Sequence, residues 1–75
     1  MQHKYVKSTR QITDVDGRSI FVILTDLATS PADKGFDADA YRELENAAQA
    51  YLGQHPSYDD FRIRSYLKNE SATDF

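Results

Sequence analysis

Cysteine and tryptophan are absent from the 75 residues, and there are only two prolines, three glycines and one methionine. Without cysteine, neither a disulfide nor a thiolate-bound metal can staple a chain short enough to need one. The missing thiols suit a reducing compartment, and a cytoplasmic protein is the expectation. Long apolar runs are missing too. The longest, Ile20 to Leu24, has five residues, against the roughly 20 that a membrane helix requires. The opening MQHKYVKSTR carries no apolar stretch of signal-peptide type, so a soluble chain with no membrane partner is expected. His3 and His55 are distant in sequence, and neither has a second ligand at metal spacing. A Gly-rich phosphate loop, a nucleophile elbow and a His–carboxylate pair are likewise lacking. These absences set the expectation of a non-enzymatic protein with no metal and no cofactor. The adjacent pair Asp59-Asp60 does not alter it, because neighbouring residues on a strand point to opposite faces.

What is present describes a folded globule. Apolar residues make up 40% and charged residues 28% of the chain, a balance that can support a core. The length allows one domain, 1–75, with a polar tail at 69–75 read as flexible. Asp16-Gly17 between two extended-looking runs is a hairpin signal, since a tight β-turn needs positive φ and glycine adopts it freely. It places strands at 5–15 and 18–27. A two-residue loop would set Ile12 opposite Phe21 and Arg10 opposite Ile23, with Ile12, Phe21 and Ile23 sharing one face. LATSPADKGF is a loop in which Ser30 and Pro31 seed at most one helical turn, closed by Gly35.

FDADAYRELENAAQAYLG is a helix, expected over 38–52. Asp37 fits the N-cap, and Phe36 and Tyr41 are spaced as a hydrophobic staple. Tyr41, Leu44, Ala48, Tyr51 and Leu52 form one stripe at helical spacing, and Gly53 followed by Pro56 marks the stop. In FRIRSYL, Phe61, Ile63, Ser65 and Leu67 alternate with Arg62, Arg64, Tyr66 and Lys68, the pattern of a half-buried strand. The rival, a helix capped by Ser57, would scatter Phe61, Ile63 and Leu67 around its circumference. The fold class expected is therefore α+β in the order ββαβ, a single helix packed on one face of a three-stranded sheet. Strand 2, the most apolar, suits the centre beside a parallel strand 3, and an order with strand 1 central is the alternative.

One helix covers one face of a sheet. The five apolar residues of strand 2 thus raise the question of what covers Ile20, Val22 and Leu24 on the other: the loop around Pro31, a second copy of the chain, or a target protein. Charge is also distributed unevenly. Residues 1–25 net +2, residues 26–60 net −6 and residues 61–75 net +1, within a total of −3. The expectation drawn from this is a protein-interaction module, a small acidic inhibitor or adaptor of the compact phage-inhibitor type, binding a larger protein. Its contact residues would be Asp33, Asp37, Asp39 and Glu43 together with Ile20, Val22 and Leu24. The alternative is single-stranded nucleic-acid binding through Arg62, Arg64, Tyr66 and Lys68, supported by Lys7, Arg10 and Tyr5. A third possibility is a self-associating unit such as a homodimer.

Overall fold

The computed structural model describes residues 1–66. Four elements follow one another: β1 (Val6–Thr13), β2 (Ser19–Thr25), α1 (Ala38–Gln54) and β3 (Asp60–Ser65). The sheet has the order β1-β2-β3, with β1 antiparallel and β3 parallel to β2. A parallel neighbour needs a long crossover, and α1 supplies its length. The small α+β domain, the hairpin, the central position of strand 2 and the strand at 60–65 all agree with the sequence pattern. Leu67, Lys68 and the tail at 69–75 lie outside the described residues.

The hairpin register departs from expectation by one residue, and its turn explains why. Gly17 N–H donates to Asp14 O and Asp14 N–H to Arg18 O, both at 3.0 Å, so three residues, not two, span the loop. The Asp14 carboxylate braces it, accepting from the amides of Asp16 and Arg18 at 2.9 Å and from Arg18 Nε at 3.1 Å. Gly17 takes the left-handed conformation, φ +81°, as in three-residue hairpins that close on a bulge. Ile12 consequently faces Ile20, Gln11 faces Phe21 and Arg10 faces Val22. A one-residue slip exchanges the faces, so Ile12 sits on the side opposite Phe21 and Ile23. A second irregularity, between Val6 and Ser8, reverses that parity locally. It turns Val6 toward the helix while Ser8 stays on the other side.

Helix α1 begins as the sequence indicates. Asp37 Oδ1 accepts from the amides of Asp39 and Ala40, each at 3.1 Å, and the Phe36 and Tyr41 rings meet at 5.8 Å. Its end is different. Gly53 lies inside the helix, which runs on to Gln54. His55 caps it, its backbone N–H donating to Leu52 O and its ring Nδ1 lying 2.9 Å from Tyr51 O. With those carbonyls satisfied, no left-handed glycine is needed, and Pro56 stops the chain.

Leu44 and Ala48 of α1 pack on Phe21 and Ile23 of β2 as the buried core. Phe61 and Ile63 of β3, with Tyr51, Leu52 and Tyr58, border it. Phe21 stacks on Tyr51 at 4.8 Å between centroids. On β1, the helix-side residues Thr9 and Gln11 are exposed, so α1 lies over β2 and β3 and leaves β1 an uncovered polar edge. At the seam of β2 and β3, Asp59 and Ser19 exchange two bonds of 2.8 Å, one backbone and one through the Asp59 carboxylate.

Candidate functional site

The register fixes what stands on the face away from α1. Three cross-strand rows form it: Ile12–Ile20–Asp60, Arg10–Val22–Arg62 and Ser8–Leu24–Arg64. Ile20 and Val22 are only 1% and 2% exposed, and Leu24 is half-buried. The expected uncovered aliphatic face is thereby corrected. The shifted register brings Ile12 beside Ile20 and Arg10 beside Val22, across from Arg62 of β3, and the aliphatic stems of both arginines can shield apolar surface from there while their heads stay in water.

The exposed charges of this face are cationic apart from Asp60, which pairs with Arg62. Arg62 and Arg64 stand two residues apart on β3, about 6.6 Å along the strand, and Arg10 stands two strands from Arg62, roughly 10 Å across. Lys7 joins them at the β1 irregularity, its Nζ 5.1 Å from the centre of the Tyr66 ring. Tyr66 is 46% exposed. Arg62 Nη1 bonds Asp60 Oδ2 at 2.6 Å. That bond, more than the backbone bond from the Phe61 amide, holds the Asp60 carboxyl below its ordinary value. Arg10 and Arg64 also interact within the chain. Of the residues considered for nucleic acid, Arg62, Arg64 and Tyr66 thus share one face with Lys7 and Arg10. Tyr5 does not join them, because it borders the core on the helix side, beside His3 and Lys4.

The acidic residues are dispersed into local tasks. Asp33 lies in the loop turn, where its amide donates to Ser30 O at 2.9 Å and its carbonyl accepts from Phe36 at 3.2 Å. Asp37 caps α1. Glu43 is shared between Lys4 Nζ at 3.3 Å and His3 Nε2 at 3.5 Å. Asp39 and Glu45 are exposed on α1. Burial first, and the nearby Glu45 charge second, raise the Tyr41 phenol above its ordinary value.

One feature lay beyond sequence reasoning. The N-terminal segment folds onto the C-terminal half of α1 and encloses a groove of about 340 Å³ whose lining includes both His3 and His55, with Gln2, Tyr51 and Gln54. His3 Nδ1 accepts from the Tyr5 amide at 3.3 Å, which turns Nε2 toward Glu43. The His55 ring stacks on Tyr51 at 3.9 Å. No periodicity connects residue 3 with residue 55, and only the fold brings them to one groove. Among the described residues no group of three or more His, Asp or Glu side chains is placed to hold a metal ion, and no helix is long and apolar enough to cross a membrane.

Compared with family models, with curated proteins and with solved structures, the chain matches none.

Proposed function

We propose that the protein is a non-enzymatic binding module that takes a polyanionic macromolecule on the sheet face opposite its helix. The observation that carries this reading is the gathering of Lys7, Arg10, Arg62 and Arg64 onto one face by the strand register, in a chain whose net charge is −3. Asp60 stands on the same face, paired with Arg62, while other acids supply caps, turns and ion pairs elsewhere, with Asp39, Glu43 and Glu45 on the helix. A molecule polarised in this way presents its cationic side to an approaching polyanion and turns its acidic side away. A larger protein with an acidic surface is one partner of the required kind, which keeps the interaction-module reading while moving its contact from the acidic residues to the basic ones.

Chromatography on immobilised heparin tests the proposal. At low salt the protein is retained despite its net negative charge and elutes on a rising gradient, because exposed charge contacts are screened. The double variant Arg62→Ala, Arg64→Ala elutes earlier, and Lys34→Ala, altered in the loop before α1, elutes unchanged. Asp60→Asn elutes later, since it releases Arg62 from its carboxylate. Passage of the native protein through the column at low salt overturns the proposal.

A further inference from the structure

We infer that the polyanion is a single strand of nucleic acid, its phosphates held by Arg10, Arg62 and Arg64 and a base stacked on Tyr66. This rests on the sheet-face reading and makes it more specific. Three features of the face converge on this ligand. Its arginines stand on strands about 6.6 Å and roughly 10 Å apart, a positively charged surface along which a phosphate backbone can run. An aromatic ring stands among them: Tyr66 is 46% exposed and lies at the end of the β3 row, with Lys7 over its ring at 5.1 Å. Base–aromatic stacking on a positively charged surface is how proteins hold single strands without reading their sequence. Finally, the architecture disfavours a duplex. The major groove is entered by a helix or a protruding ribbon, whereas α1 lies on the opposite side of the sheet and carries Asp39, Glu43 and Glu45 on its exposed surface. The flat face that remains suits bases splayed out of a stack.

The face is small. Six residues of β3 extend about 20 Å, enough for roughly four nucleotides, the lower end of the range for single-strand modules. Arg10, Arg62 and Arg64 already have interactions within the chain, so phosphates must compete for them, and binding is correspondingly salt-sensitive. For three phosphate contacts to a single strand, the logarithm of the affinity falls with the logarithm of salt concentration with a slope of about −2.

Fluorescence anisotropy with the full chain distinguishes the alternatives, using a labelled 12-nucleotide single strand, an abasic strand of equal length, a 12-base-pair duplex and poly-glutamate. The expected order places the base-bearing strand first. Tyr66→Ala weakens that binding roughly tenfold and leaves the abasic strand unaffected, while Tyr66→Phe, which keeps the ring, stays within about twofold of the native protein. Arg62→Ala with Arg64→Ala weakens both strands alike. Equal affinity for base-bearing and abasic strands, with no effect of Tyr66→Ala, overturns the nucleic-acid inference and leaves the cationic face standing. So does tighter binding of the duplex or of poly-glutamate. Binding to none of the four overturns both. Circular dichroism of each variant confirms that a loss is not unfolding, since both arginines and Tyr66 are exposed.

Discussion

Thr25 is fully buried at the end of a largely apolar strand, and its hydroxyl accounts for its place there. It donates to Tyr5 O at 2.6 Å and accepts from the Leu27 amide at 3.2 Å, tying the N-terminal segment and the loop after β2 to one atom. Replacing Thr25 with valine keeps the shape and removes both partners. The cost of depriving part-buried polar groups of a hydrogen bond is about 1–3 kcal/mol. The variant Thr25→Val therefore lowers the stability measured by urea denaturation by about that much, although valine is the better strand former. An unchanged midpoint shows that water replaces the hydroxyl at both sites. Asp14 works in the same way at the other end of the hairpin. Its two backbone bonds define a loop of three residues, three bonds to its carboxylate brace that loop, and the pairing of β1 with β2 from Thr13 to Ser8 follows from them. An aspartate opening the turn and a glycine closing it is a recognised signature. The residues that set the register were therefore in the sequence, but Asp16-Gly17 suggests the shorter loop equally well.

The helix and the last strand were legible because each satisfies its own periodicity. Leu44, Ala48 and Tyr51 recur at helical spacing, and Phe61, Ile63 and Ser65 alternate against Arg62 and Arg64. Boundaries set by neighbours rather than by period were not legible. Gly53 resembles a helix stop, yet the chain turns only after His55, whose ring lies on Tyr51 and whose nitrogens reach the last carbonyls. Gly53 is therefore an interior helix residue, with open space where a Cβ would stand. Gly53→Ala should stabilise the protein, by about 0.5 kcal/mol so near the helix end. A left-handed Gly53 would instead make the same substitution destabilising by about 1 kcal/mol, so the sign of the change in thermal midpoint decides between the two. The irregularity at Lys7 was hidden for another reason. No local preference demands it, and it exists because Val6 is drawn to the core while Ser8 is not. It also bends an edge strand that is exposed on both faces, and together with Lys7 and Arg10 it discourages pairing with another chain.

The separation of charge between sheet and helix was visible in the segment totals, but its geometry depended on the register. Arg10 joins Arg62 beside Val22 only because the loop has three residues. The groove that brings His3 to His55 depends on a terminal segment for which the sequence carries no periodic signal. The same network that places the cationic face determines how the fold responds to acid. Asp14 is held below its ordinary value of 3.8, chiefly by the Arg18 amide. Asp60 is held below the same value, chiefly by the Arg62 side chain. In each case the carboxyl binds its proton less readily in the folded state than in the unfolded one, so the unfolded state takes up more protons as the pH falls. The stability that these two groups contribute is complete above the unfolded value, near pH 4. It is lost as the pH drops through the lower folded values. Both side chains are only partly buried, and solvent screening keeps the effect modest. The expected urea midpoint is therefore level from pH 7 to pH 5 and declines below about pH 4. Asp14→Asn with Asp60→Asn starts lower at pH 7 and declines less steeply. If the double variant loses stability below pH 4 as steeply as the native protein, the acid sensitivity lies in other carboxylates, and the bracing of the hairpin and of β3 by Asp14 and Asp60 contributes nothing measurable to it.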